Sequence, residues 1–398
     1  MNQPHAQTRV MIVGGGTAGH VLPGVAIGRE LVARGMAPEE IHFVGSDRGV
    51  ERTLVPEAGF DVTLLAGRGI ARRLTRDNVG AAVGLGKAFI ESSKLLADTK
   101  PEVVVALGGY ASVPAGLWAL LRRTPVVVAE QNAVPGLANR LIGRFAKASA
   151  VSYDRTDLPR AVWTGNPVRP AILEVAQNYA SRRAQARERY GISDGQHHVV
   201  VFGGSLGART INNATIGALE QLGERDGIVV RHIIGRRDYE SIVSDVKDRG
   251  LDSSSYVPIE YEDDMASVYA SADLVVCRAG ATSCAELAVT NTPAVLIPLP
   301  GAPGDHQTAN GRALEAVGGA EVLADSVFDG ELMADTVTRL LAKPEILASM
   351  REGSARAARP DAAAAVVEVI AQFLQDPLQA PTPVDSSNPV DPGTSNDD

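Results

Sequence analysis

Cysteine is nearly absent from this 398-residue chain, which carries only Cys277 and Cys284. Two thiols in apolar surroundings cannot build a disulfide framework, and no second pair or histidine cluster beside them suggests a metal site. No apolar run reaches about 18 residues, so nothing reads as a bilayer span. The N-terminus lacks a basic region followed by an apolar core, so no signal peptide is expected and the chain is expected in the cytoplasm. A basic excess is missing too. The formal net charge is −9, and more than half of it comes from five aspartates after Gln375, a stretch without Lys or Arg. That excludes an overall basic field for nucleic acid. Aromatics make up only 4% of the residues.

Glycine and aliphatic residues are abundant instead, with 40 Gly and 45% hydrophobic residues. That composition and length predict a glycine-rich α/β enzyme of two domains, each with its own core. The organising stretch is Val10-Met11-Ile12-Val13-Gly14-Gly15-Gly16-Thr17-Ala18-Gly19-His20. The apolar run reads as a buried strand, the glycines as a bare turn, and Val21 to Ala33 as the helix that follows. Such a turn lets an anion approach the free amides at a helix N-terminus. About 190 residues later the pattern returns as Val199-Val200-Val201-Phe202-Gly203-Gly204-Ser205-Leu206-Gly207. Two such openings predict two similar domains facing a cleft.

Further short apolar runs at 41–44, 62–65, 103–107 and 126–129 predict parallel strands buried on both faces. Two of them end in Gly108-Gly109-Tyr110 and Glu130-Gln131-Asn132, where ligands of open α/β sheets bind. Thr164-Gly165-Asn166-Pro167-Val168-Arg169-Pro170 breaks the pattern and marks the domain boundary. The expected organisation is a loose lead-in over 1–8, a first domain over 9–169, and a largely helical linker over 170–195. A second domain over 196–355 has strands near 199–202, 229–234, 274–277 and 294–297. A closing helix over 356–375 either stays with that domain or returns to the first. The proline- and aspartate-bearing tail over 376–398 is expected to be disordered.

Gly14-x-Gly16-x-x-Gly19 also matches the dinucleotide fingerprint, with Asp47 near a ribose-binding position. The second glycine loop argues against it, since one dinucleotide needs one such turn; a tight turn without ligand is the other reading. The sharpest local signal is Arg278-Ala279-Gly280-Ala281-Thr282-Ser283-Cys284-Ala285-Glu286. Small residues admit a diphosphate to the helix N-terminus, the hydroxyls add donors, and Glu286 can accept from a ribose diol. Alternatively Glu286 is a first-turn acid complementing the helix dipole. The run Asp305-His306-Gln307-Thr308-Ala309-Asn310 suits a polyol such as a sugar. His20, with an unperturbed pKa of about 6.5, suits base work at neutral pH. The alternative is a local hydrogen bond or a part in positioning a second substrate.

In that order, the blocks 14–20, 108–110, 130–132, 165–169, 203–205 and 278–286 resemble the MurG family of peptidoglycan N-acetylglucosaminyltransferases, over roughly residues 9 to 370. The resemblance implies a GT-B fold of two Rossmann-like domains and an inverting transfer from UDP-N-acetylglucosamine to the C4 hydroxyl of the muramyl sugar of lipid I, giving lipid II. It implies a peripheral enzyme on the cytoplasmic face of the cell membrane. It places Thr17, Ala18, Gly19, Asn132, Arg169, Ser205, Tyr261, Glu262, Met265, Ala281, Thr282, Ser283, Cys284, Ala285, Glu286, His306 and Gln307 around the donor. Among these, Arg169 approaches the phosphates and Tyr261, Glu262 and Met265 fall in the uracil segment. The acceptor falls to Gly15, Gly16, Thr17, His20, Tyr110, Glu130, Asn132 and Arg144, with His20 as the base. His306 stands where some members carry Gln, and Ala18 where the commonest loop has Gly.

No Asp-x-Asp motif is present, so no metal or other cofactor is expected; helix amides and Arg169 can carry the leaving-group charge. Arg68, Arg72, Arg73, Arg76 and Lys87, interleaved with apolar residues, suit the surface of anionic inner-leaflet lipid. The competing reading is an amphipathic helix packed on its own sheet. Two other functions share the architecture: a UDP-N-acetylglucosamine 2-epimerase and a non-catalytic UDP-sugar-binding scaffold.

Overall fold

The computed structural model describes residues 8–66, 77–204, 207–222 and 227–380. The first sheet holds β1 (Val10–Gly14), β2 (Ile41–Ser46), β3 (Asp61–Leu65), β4 (Val103–Gly108), β5 (Val126–Glu130), β6 (Ala148–Val151) and β7 (Ala161–Trp163). Their order is β3-β2-β1-β4-β5-β6-β7, with every pairing parallel. The second sheet holds β8 (His197–Phe202), β9 (Ile228–Ile233), β10 (Tyr256–Ile259), β11 (Leu274–Cys277), β12 (Ala294–Leu296) and β13 (Ala320–Val322). Its order, β10-β9-β8-β11-β12-β13, repeats the first, again all parallel.

The inner strands are β-branched runs because helices cover both sides of each sheet and leave no wet face for alternation. One layer of the first sheet buries Met11, Val13, Val104 and Ala106, the other Val10, Ile12, Val103 and Val105. Strand order reverses between β1 and β4 and between β8 and β11, so crevices open at the carboxyl ends of those pairs. At the first of these the loops approach closely. Gly15 N–H donates to Gly108 O at 3.1 Å. A Cβ on Gly14 would stand 2.4 Å from Gly108 O, and one on Gly109 2.3 Å from Gly15 O. Both positions require glycine for that reason.

Strands β6, β7, β10 and β13 are absent from the sequence expectation. They are three or four residues long, too short to show a period. Pro258 falls within β10, which its place at the sheet edge permits. The helical linker consists of two helices, Pro170–Gln177 and Tyr179–Arg189, parted at Asn178 with φ −122° and ψ 37°. The chain returns after Ala357. The helix Ala362–Ala371 buries Val366, Val367, Val369 and Ile370 against the first sheet's core rather than the second's. Among the described residues no helix is long and apolar enough to cross a membrane.

Candidate active site

The first crevice is built on the turn between β1 and the helix Ala18–Ala33. Thr17 stands at the N-cap, yet its hydroxyl does not cap the helix; Oγ1 lies 3.1 Å from His20 Nδ1. His20 is half-buried. Its pKa is held below the ordinary 6.5, chiefly because burial penalises the imidazolium; His306 lowers it further, while Glu130 and Glu51 oppose the shift. The ring is therefore neutral at pH 7.

Behind the turn lies Glu51, 2% exposed, which accepts from Gly16 N–H at 2.7 Å and Ser46 N–H at 3.1 Å. Glu130, at the end of β5, is also buried. It accepts from the backbone N–H of Asn132 at 2.9 Å and of Gly136 at 3.0 Å, and from the side chains of Asn132 and Asn139 at 3.1 and 2.9 Å. Both its oxygens are thus engaged by its own loop. Tyr110 is half-buried, with its hydroxyl 3.5 Å from Ala66 O. Arg144 is exposed and stands at the C-cap of the helix Leu137–Gly143.

The second crevice faces the first. The helix Ala281–Val289 opens at Gly280, and Thr282 Oγ1 reaches Gly19 O across the cleft at 3.4 Å. The N-terminal turns of this helix and of the Ala18–Ala33 helix, where free amides lie, are thus adjacent across the cleft. Asn310, fully buried, closes the same seam. It accepts from Ala133 N–H at 2.8 Å and donates to Asn132 Oδ1 at 3.2 Å and Ala279 O at 3.3 Å.

Glu286 sits a turn into the helix, 3% exposed. Oε1 pairs with Arg169, at 3.0 Å from Nε and 2.8 Å from Nη2, and Oε2 accepts from Tyr269 Oη at 3.1 Å. Burial pushes its pKa up, while the Arg169 charge and these donors resist. Arg169, expected at the phosphates, is thus spent on a buried carboxylate that needs a partner. Cys284 is a wall residue; burial lifts its thiol to about 12, which keeps it neutral.

Tyr261 is 44% exposed with the Arg236 guanidinium 4.7 Å from its ring centre, a stacked platform. Glu262 is turned inward, accepting from Arg231 Nη2 at 2.9 Å and Asp264 N–H at 3.1 Å. Met265 packs partly buried against the core of the second sheet. His306 Nδ1–H donates to Pro303 O at 2.8 Å, and Gln307 Oε1 accepts from Leu299 N–H at 2.9 Å. Ser205 and the basic residues Arg68, Arg72, Arg73 and Arg76 lie outside the described residues; Lys87 is exposed. Among the described residues no three His, Cys, Asp or Glu side chains form a metal-holding group.

Residues 10–151 match the glycosyltransferase family 28 N-terminal domain and residues 198–366 the C-terminal domain of the same family. A UDP-N-acetylglucosamine–N-acetylmuramyl-(pentapeptide) pyrophosphoryl-undecaprenol N-acetylglucosamine transferase of Myxococcus xanthus is 40% identical over 371 residues, 92% of this chain and 93% of its own length. The chain belongs to the MurG family. A Halothermothrix orenii relative of the same name is 36% identical over 91% of this chain and 98% of its own. The crystal structure of Acinetobacter baumannii MurG superposes with a TM-score of 0.68 at 28% identity, covering 92% of this chain and 99% of that one. A UDP-GlcNAc 2-epimerase from Neisseria meningitidis reaches 0.64 at 13% identity over 92% of this chain and all of its own, which shows a shared fold.

Within this MurG-family site, Glu51, Asn139, Arg236, Tyr269 and Asn310 carry no role in the sequence analysis. Asn310 ends the Asp305–Asn310 run, so a signal for it was present. Glu51 holds the turn amide of Gly16 from 35 residues away as well as the nearby Ser46 amide, and no motif marks it.

Proposed function

We propose that this protein transfers N-acetylglucosamine from UDP-N-acetylglucosamine to lipid I with inversion. The observation that carries the proposal is the Thr282–Gly19 contact, at 3.4 Å, which brings the two glycine-bordered helix ends and His20 to one cleft. In the inverting step a bond forms between the acceptor's C4 oxygen and the anomeric carbon, while the bond from that carbon to UDP breaks and UDP keeps the electron pair. The acceptor proton passes to His20. With Nδ1–H donated to Thr17 Oγ1, Nε2 carries the free lone pair. Helix amides at 281–283 take up the charge growing on the departing diphosphate.

The test supplies UDP-N-acetylglucosamine and a short-chain lipid I analogue. Release of UDP with a new 1,4-linked disaccharide is expected. Formation of UDP-N-acetylmannosamine, or binding without turnover, would overturn the proposal.

The acceptor is lipid-linked, so the segment from Arg68 to Lys94 is proposed to rest on anionic inner-leaflet lipid at the cytoplasmic face of the membrane. Each Lys or Arg near such a surface contributes about 1 kcal/mol, screened over roughly 8–10 Å at physiological salt. Replacing Arg72, Arg73 and Arg76 with Glu should abolish sedimentation with phosphatidylglycerol vesicles and slow transfer to vesicle-borne acceptor. A detergent-soluble short-chain acceptor should react as before. Sedimentation like that of the wild type would place the docking face elsewhere.

A further inference from the structure

The first glycine turn of this fold is wrapped around an anion of its own. Glu51 Oε1 stands 2.7 Å from Gly16 N and 3.1 Å from Ser46 N, the kind of position a bound phosphate oxygen takes at such a turn. Three glycines make room for it. A Cβ on Gly15 would lie 2.1 Å from Oε1, one on Gly45 2.7 Å from Cγ, and one on Gly49 1.8 Å from Oε2. The carboxylate is 2% exposed, and among the described residues Oε2 is buried without a hydrogen-bond partner. A buried, half-satisfied charge is a poor device for stability. Its retention needs a reason in what it holds.

We infer that Glu51 is a positioning residue for transfer: by occupying the turn from behind, it fixes the Gly16–His20 backbone and with it the approach of the acceptor to His20. The proposal rests on His20 and this turn serving the acceptor. Gly16 N–H is the last amide before Thr17, and Thr17 in turn holds His20 Nδ1 at 3.1 Å. The path from Glu51 to the imidazole therefore runs through one backbone hydrogen bond and one side-chain hydrogen bond. It also makes Gly16 N–H unavailable to a diphosphate, which leaves the amides after Thr17 as the anion-facing group of this turn.

The charged and titratable groups around His20 are Glu130 at the end of β5, His306 across the cleft and Glu51 behind the turn. Of the two carboxylates, Glu130 has both oxygens engaged by its own loop. Only Glu51 combines an effect on the ring's charge with a grip on the backbone that carries it.

The test compares Glu51→Gln with Glu51→Ala in the full chain. Glutamine keeps an acceptor for Gly16 N–H and removes the charge. It should hold turnover within about threefold of wild type, leave amide exchange of segment 14–20 protected, and move the acidic limb of the kcat–pH profile to lower pH. Its melting temperature should not fall, whereas a purely structural carboxylate would cost stability when neutralised. Alanine removes the grip. Turnover should drop about tenfold or more, as for a misplaced reacting group, with faster exchange in 14–20 and UDP affinity by calorimetry within about twofold of wild type.

Should Glu51→Ala not fold, Gly49→Ala pushes the carboxylate from Gly16 without deleting it, and the same loss of turnover and protection is expected. Wild-type turnover in both displaced variants would overturn the inference, as would a glutamine variant as impaired as alanine despite a protected segment. Run beside His20→Ala, the exchange readout separates the two ideas. An active His20→Ala protein sinks the base role and leaves the hold of Glu51 on the turn to be judged by protection alone.

Discussion

Replacing His20 with alanine should lower kcat for the lipid acceptor by about 10²–10⁴-fold, while UDP affinity stays within about twofold of wild type. The size follows from the step the ring serves. An inverting displacement needs the acceptor hydroxyl deprotonated as the anomeric bond forms, and His20 is the titratable ring between the two crevices whose pKa is held below 6.5. A lowered histidine pKa keeps the neutral, proton-accepting form populated below pH 6.5. The acidic limb of the kcat profile should therefore lie below 6.5, with a plateau through neutrality, and it should vanish in the alanine variant. If kcat is near normal the ring serves structure, and if only the acceptor KM rises it serves positioning.

Glu286→Ala should weaken UDP binding by at least about tenfold and raise the donor KM in step. Hydrogen bonds to a charged group contribute about 1.5–3 kcal/mol, and about 1.4 kcal/mol is a factor of ten. Arg169 and Tyr269 take both oxygens of Glu286. A ribose diol must share or displace the Arg169 contact. Alanine also leaves Arg169 without its carboxylate, so a lower melting temperature should accompany the loss of affinity. Glu286→Gln keeps the shape and an acceptor for Tyr269, and should fall between the two. Unchanged UDP affinity in a folded alanine variant, read by calorimetry, would remove Glu286 from the donor site.

Much of this cleft is legible in sequence because its turns are local. Gly14 to His20, and Arg278 to Glu286, each place strand end, turn and helix start within about a dozen contiguous residues. Bare glycine and hydroxyl chemistry there has few other uses. What escapes is the shell that holds those turns. Glu51 opens a seven-residue helix and looks like any first-turn acid, since the glycine-turn amide it holds is 35 residues away. The Arg169–Glu286 pair joins the end of the first domain to a helix residue 117 positions later, and each residue alone suggests a ligand contact. Glu130 reads as a cleft acid for the same reason, although its loop engages both oxygens. Spacing reports what a segment can do, and the partner that has already taken it is set by tertiary folding.

The return of the chain to the first sheet has a consequence for synthesis. Val366, Val367, Val369 and Ile370 complete a layer that also contains Val10, Ile12, Val127 and Ala129. Arg34 then ties this helix down through Glu368, and its backbone carbonyl accepts from Gln379 N–H at 3.0 Å. The last strand of that sheet ends at Trp163. The ribosome must therefore add about 200 further residues before the layer can close, an interval of about 10–40 s at roughly 5–20 residues per second. Throughout that interval the nascent sheet has that aliphatic face only partly covered, by Val21, Val25, Ile27 and Leu31 of the helix Ala18–Ala33, while the second domain is still being made. The first domain to be translated is thus the last to be finished, and a chaperone that shields that face has its longest task there.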